Sequence, residues 1–136
     1  MQKYILILDS DVVLLSMLKM RLKRIGHTVD TAETGWDGLT KLAHADYDVV
    51  LLDDLMPEIT GLTVLQHVQK RHPSVPVVMM SSHTSSQVMA QALAAGAQAC
   101  LAKPVDPVEL DRALQCYVGR HGSNVERRMN DATVSP

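Results

Sequence analysis

The sequence predicts an α/β protein, a parallel sheet covered by helices on both faces in a three-layer sandwich. Two observations carry this reading. Short runs that are almost wholly apolar, as in strands buried on both faces, alternate with longer amphipathic segments. The alternation is strict across five strand–helix units, and right-handed crossovers join such units into one parallel sheet.

The apolar runs Tyr4–Leu8, Asp48–Leu52 and Val75–Met80 are the plainest strands, and His27–Ala32 and Ala99–Leu101 are less apolar ones. The first helix is expected over Val12–Ile25. There Leu14, Leu18, Leu22 and Ile25 recur at helical spacing beside Lys19, Arg21 and Lys23, and Gly26 is a stop. The second covers Gly35–Ala45. The third covers Leu62–His72, with Pro73 closing it. The fourth covers Ser85–Ala95 and ends at Gly96. The fifth starts near Pro107, a good first-turn residue, and places Leu110, Leu114 and Tyr117 on one face.

A chain of 136 residues fits one domain and can bury a core without staples. Phe is absent and aromatics make up 3 %, so the core falls to Leu, Val, Ile, Ala and Met, with Met17, Met20, Met79, Met80 and Met89 read as filler. The formal net charge of -2 gives no reason to expect nucleic-acid binding. Cys100 and Cys116 are too sparse for a disulfide framework and suit a reducing compartment. The first apolar run ends at Asp9, too short for a secretory core or a membrane span, so a cytoplasmic location is expected. The domain is read as residues 1–118. Residues 119–136 are polar and expected to form a frayed or disordered tail.

The chemistry gathers at one edge. Asp9 and Asp11 end the first apolar run and Asp53 and Asp54 the third, while Ser81 ends the fourth and Lys103 follows the fifth. In a parallel sheet these positions share the carboxyl ends of the strands, where ligands bind. Carboxylates crowded into one crevice repel one another unless a cation intervenes, and such oxygen donors suit Mg²⁺. A carboxylate can attack phosphorus to give an acyl phosphate. A metal ion and a lysine can neutralise the incoming anion.

At this point the chain resembles the response-regulator receiver family. Four blocks carry the resemblance: ILILDSD (5–11), DVVLLDDLMPEITG (48–61), PVVMMSS (76–82) and AAGAQACLAKP (94–104). Each is weak alone, and the four in order at family spacing are specific. The resemblance implies a (βα)5 flavodoxin-like fold with strand order 2-1-3-4-5. It makes Asp53 the phosphoacceptor, Ser81 the switch hydroxyl and Lys103 the partner of the phosphoryl group, with Pro104 after it in a cis bond. Asp9, Asp53 and the Leu55 carbonyl would hold Mg²⁺, with Ser10 or Asp11 as a further ligand. Three features depart from the family pattern. Ser10 stands where a second acid is usual, a neutral and weaker ligand. Cys100 replaces the switch aromatic. Leu55 and His83 occupy variable positions flanking the phosphate.

The expected function is a stand-alone phosphoacceptor switch of a two-component system or phosphorelay, not an enzyme beyond its own phosphorylation and dephosphorylation. The donor would be a histidine kinase or histidine phosphotransfer protein. Output would pass to a downstream protein through roughly Ser85–Tyr117, with homodimerisation on activation left open. An alternative keeps the fold and drops the phosphate, leaving a binding module. A remote alternative reads Asp9–Val13 as the nucleophile motif of haloacid-dehalogenase-type phosphatases, with Asp106 and Asp111 as the late acids.

Overall fold

The computed structural model describes residues 2–83 and 85–116. Tyr117, the tail 119–136 and the expected end of the domain at 118 lie outside the described residues. Five strands and five helices alternate: β1 (Tyr4–Leu8), α1 (Val12–Arg24), β2 (Thr28–Ala32), α2 (Gly35–His44), β3 (Val49–Asp53), α3 (Gly61–Arg71), β4 (Val77–Ser81), α4 (Ser86–Ala94), β5 (Ala99–Ala102) and α5 (Pro107–Cys116). The strands form one parallel sheet in the order β2-β1-β3-β4-β5, the expected flavodoxin-like topology.

Because side chains alternate across a strand, each central strand feeds two cores. Leu6, Leu8, Val50, Leu52, Val77 and Met79 pack with Leu42 of α2, Val64, Leu65 and Val68 of α3 and Ala92 of α4. Ile5, Ile7, Val49, Leu51, Val78 and Met80 pack on the other face with Leu15, Leu18 and Leu22 of α1 and Leu110 and Leu114 of α5. This is why β3 and β4 are apolar at every position but their last.

Two expectations are corrected. The α1 seam runs through Leu15, Leu18 and Leu22. Leu14 is only partly buried, and Ile25 is exposed because the helix stops at Arg24. At about 100° per residue the same seam turns Met17 and Met20 outward, 64 % and 58 % exposed, so they are not core filler. Met79 and Met80 are buried as expected.

The helix starts are fixed by short polar side chains that accept orphan N–H groups. Asp11 caps α1, Thr34 α2, Thr60 α3 and Ser85 α4. Thr60 Oγ1 accepts from the Thr63 N–H at 3.2 Å. Replacing Thr60 by Ala removes that acceptor and is expected to lower stability by about 1 kcal/mol in urea denaturation. An unchanged midpoint would remove the cap from the account.

Candidate functional site at the carboxyl edge of the sheet

Asp9, Asp53, Ser81 and Lys103 all arrive at the carboxyl ends of the strands. Asp53 closes β3 and Ser81 closes β4, while Asp9 and Lys103 each stand one residue past β1 and β5. Backbone bonds pin them there. The Asp9 N–H donates to Ala32 O at 3.1 Å, the Asp54 N–H to Met80 O at 3.1 Å and the Lys103 N–H to Ser81 O at 2.9 Å. The Lys103–Pro104 bond is cis.

The structure brings three of the four charged or polar groups into direct contact. Lys103 Nζ lies 2.6 Å from Asp9 Oδ2 and 3.0 Å from Asp53 Oδ1. Both carboxylates are buried, Asp9 at 1 % and Asp53 at 5 % exposure. One cation therefore faces two anions in a dry place, and the titration behaviour follows. Burial pushes the Asp53 carboxyl above its ordinary range and the Asp9 charge pushes it further, against the pull of Lys103. Burial alone would depress the Lys103 ammonium, but its bonds to Asp9 and Asp53 outweigh that and raise it.

Ser81 shares the edge, yet its hydroxyl is turned elsewhere. It is fully buried and donates to Asp54 Oδ2 at 2.7 Å, with His83 O at 3.0 Å and the His83 N–H donating back to Ser81 Oγ at 3.0 Å. Asp54, to which the sequence assigns no role of its own, is the residue that takes the Ser81 hydroxyl. Its role depends on register: Asp53 stands beside Met80, so Asp54 falls beside Ser81. Strand pairing reveals this, and residue type alone does not.

The remaining candidates fall around this centre. Asp11 Oδ1 accepts the Val13 and Leu14 N–H groups at 3.1 and 3.2 Å as the α1 cap, and the Asp11 N–H donates to Asp9 Oδ1 at 2.9 Å. Ser10, Leu55 and His83 are exposed, Leu55 at 60 %, and Cys100 is half-buried against the first core. Gly61 shows why the loop after Asp53 needs a glycine there. A Cβ would sit 2.3 Å from Asp53 O and 2.7 Å from Asp54 Cα, so only a bare backbone lets α3 begin against the end of β3. The late acids of the phosphatase reading do not join the site: Asp106 Oδ1 accepts the Val108 N–H at 2.9 Å, and Asp111 pairs with Arg21 at 2.8 Å. Asp111 also lines a pocket with Lys3 and His27, which flank the starts of β1 and β2 at the opposite edge of the sheet.

The topology and the acids and lysine at its carboxyl edge place the chain among doubly wound α/β proteins, which bind ligands at that edge, and comparison with known proteins narrows the class. The family model described as the response regulator receiver domain matches residues 5–115, so the chain belongs to that family. It is 32 % identical over 132 residues to the transcriptional regulatory protein GlrR of Escherichia coli, covering 97 % of this chain and 30 % of that protein. It is also 32 % identical over 127 residues to the transcriptional regulatory protein QseB of Haemophilus influenzae, covering 90 % and 58 %. The chain thus spans about a third to a little over half the length of these relatives. Among solved structures, the chemotaxis response regulator CheY4 of Vibrio cholerae superposes with a TM-score of 0.81 at 28 % identity, covering 86 % of this chain and 99 % of that one. A CheY-like receiver domain protein from Methanospirillum hungatei gives 0.80 at 30 % identity, covering 85 % and 92 %. Receiver domains are regulatory phosphoacceptors of two-component signalling, and that class of function comes with membership. Among the described residues no helix is long and apolar enough to cross a membrane.

Proposed function

We propose that the chain takes a phosphoryl group onto Asp53 from a phosphohistidine of a kinase or phosphotransfer protein, and that the acyl phosphate changes which protein it binds. The observation that supports this most is Lys103 Nζ held between Asp9 Oδ2 and Asp53 Oδ1. A carboxylate oxygen of Asp53 forms the new O–P bond, the P–N bond breaks, and the imidazole leaves with its electron pair. Lys103 sits within reach of the anion that arrives, and Asp9 keeps the ammonium charged and aimed.

The donor set fits Mg²⁺. Two buried carboxylates share a single ammonium, and burial first, then the Asp9 charge, hold the Asp53 carboxyl above its ordinary range against the pull of Lys103. Among the described residues no group of three or more His, Cys, Asp or Glu side chains is arranged to hold a metal. Mg²⁺ tolerates this, because it binds one or two carboxylates and keeps several waters. Asp9, Asp53 and the Leu55 carbonyl would hold it, and when bound it would neutralise charge on the phosphoryl oxygens. Asp11 is occupied as a helix cap, which leaves exposed Ser10 as the neutral neighbour of the site. Ser10→Asp is therefore expected to tighten Mg²⁺ binding about tenfold or more in a metal titration by calorimetry, since it restores a charged oxygen. An unchanged titration would show that residue 10 does not face the ion.

Output through Ser85–Tyr117 is supported, within the described part, by apolar side chains left in solvent there: Leu93 of α4 at 49 % and Val108 of α5 at 62 % exposure. A cytoplasmic setting accords with two free cysteines, Cys100 and Cys116. The deciding experiment is intact-protein and peptide mass spectrometry after treatment with a small phosphodonor and Mg²⁺. One phosphoryl group located on Asp53 is the expected result. No incorporation would favour the phosphate-independent binding module.

A further inference from the structure

The Ser81 hydroxyl has one proton, and in this structure its nearer acceptor is a carboxylate, with the His83 carbonyl oxygen the second at 3.0 Å. Ser81 Oγ lies 2.7 Å from Asp54 Oδ2, a charge-assisted bond inside a fully buried side chain's environment. In the receiver reading the same proton is needed by a phosphoryl oxygen on Asp53. The two acceptors lie on different sides of the sheet edge. Asp53 continues the face of Val49 and Leu51, whereas Asp54 and Ser81 continue the face of Leu52 and Met79.

A second observation concerns the other oxygen of Asp54. Oδ1 is buried and has no hydrogen-bond partner among the described residues. Asp54 itself is half-buried, an unpaired buried oxygen is held at a cost, and its other oxygen, Oδ2, accepts from Ser81. The half-buried thiol of Cys100 lies within its field: after burial, the Asp54 charge is the next cause raising that thiol. Cys100 stands beside Met79 on the Ser81 face. The carboxylate, the hydroxyl and the thiol therefore form one local group, in the place where a receiver usually carries an aromatic ring.

We propose that Asp54 is a positioning residue that restrains the switch: it keeps the Ser81 hydroxyl turned from the phosphoryl site until the acyl phosphate on Asp53 takes the proton over. This rests on the phosphoacceptor reading of Asp53. On transfer, the Ser81–Asp54 hydrogen bond breaks and a Ser81–phosphoryl bond forms. No covalent bond changes, and Asp54 is left as a free carboxylate beside Cys100. Resting and phosphorylated states then differ by the partner of one buried hydroxyl, with Asp54 opposing the change.

The test is a double-mutant cycle read in two ways. The first reading is urea unfolding in chelated buffer of wild type, Asp54→Ala, Ser81→Ala and the double variant. Coupling between the two positions is expected, and strict additivity would overturn the proposal. The second reading is affinity for beryllofluoride with Mg²⁺ by fluorescence or calorimetry. Asp54→Ala is expected to bind about tenfold tighter than wild type, and Asp54→Asn by a smaller factor, because one competing acceptor is lost or uncharged. In the Ser81→Ala background the gain should vanish. A gain that persists there would mean Asp54 acts only as a nearby negative charge, and the restraint would be refuted. Tight binding by wild type that Asp54→Ala leaves unchanged also refutes it, while the phosphoacceptor reading stands. If no variant binds beryllofluoride or takes a phosphoryl label, the phosphoacceptor reading fails and the restraint with it, whatever the unfolding cycle shows. Asp54→Asn keeps the size of the side chain and carries the test should the alanine variant fold poorly.

Discussion

Replacing Lys103 by Ala is expected to cost about 3 kcal/mol of folding stability at neutral pH in chelated buffer. The reason lies in what the change leaves behind. Lys103 bridges Asp9 Oδ2 at 2.6 Å and Asp53 Oδ1 at 3.0 Å, and the three side chains are 16 %, 1 % and 7 % exposed. Without the ammonium, two carboxylates remain in a poorly solvated edge with no counterion. Breaking a buried ion pair from one side is far more damaging than its net worth suggests, because the surviving charge keeps its desolvation cost. The loss should depend on pH. Removing the cation raises the folded-state pKa of Asp53 further, and a raised acid costs stability above that pKa but not below its unfolded value. The deficit should therefore shrink as pH falls toward the ordinary carboxylate range. Urea unfolding from neutral to acid pH would check it. A small deficit that stays flat with pH would mean the ammonium is solvated and not a counterion.

Much of this site is legible in the residues because the sheet imposes order. Strands buried on both faces are written as apolar runs, and the first polar residue after each run marks the carboxyl edge. Asp9, Asp53, Ser81 and Lys103 can all be found that way, whereas the direct contact of Lys103 with both acids emerges only from the structure. The strand bounds slipped by a residue or two where an acid or hydroxyl still pairs. Asp53 and Ser81 belong to β3 and β4, because their backbones remain in the ladder although their side chains are polar.

What could not be read concerns direction. Helical periodicity in α1 admits two neighbouring seams, one through Leu14 and one through Leu15, and only packing against Ile5, Ile7 and α5 chooses the second. The orientation of the Ser81 hydroxyl is likewise a tertiary fact. It depends on Asp54 falling beside Ser81 across two strands that are distant in sequence. The Gly61 requirement is of the same kind, since the clash it avoids is with the backbone of Asp53 and Asp54.

Asp53→Asn should abolish phosphoryl uptake and, in the same sample, make the metal-free fold more stable at neutral pH. The first effect is chemical. A carboxamide is a poor nucleophile toward phosphorus, and neighbouring Asp54 is committed to Ser81 on the other face of the sheet. The second is electrostatic, and its sign follows from the environment of Asp53. Burial raises the carboxyl, Lys103 lowers it, and Asp9 and Asp54 raise it again, with a net upward result. Between the ordinary carboxylate range and the raised value, the folded chain binds more protons than the unfolded one. Stability falls as pH rises through that window, and the full cost is present above it. Asn has nearly the same shape and no charge, so the cost disappears while Lys103 keeps Asp9 as its partner. The advantage of the variant should fade as pH is lowered through the window. Phosphodonor labelling followed by mass spectrometry reads the first effect, and chelated urea unfolding at several pH values reads the second. A label that persists in Asp53→Asn would move the phosphoacceptor elsewhere. A variant less stable than wild type at neutral pH would mean that Lys103 more than compensates the charge it faces, and that no further cation is needed to balance the site.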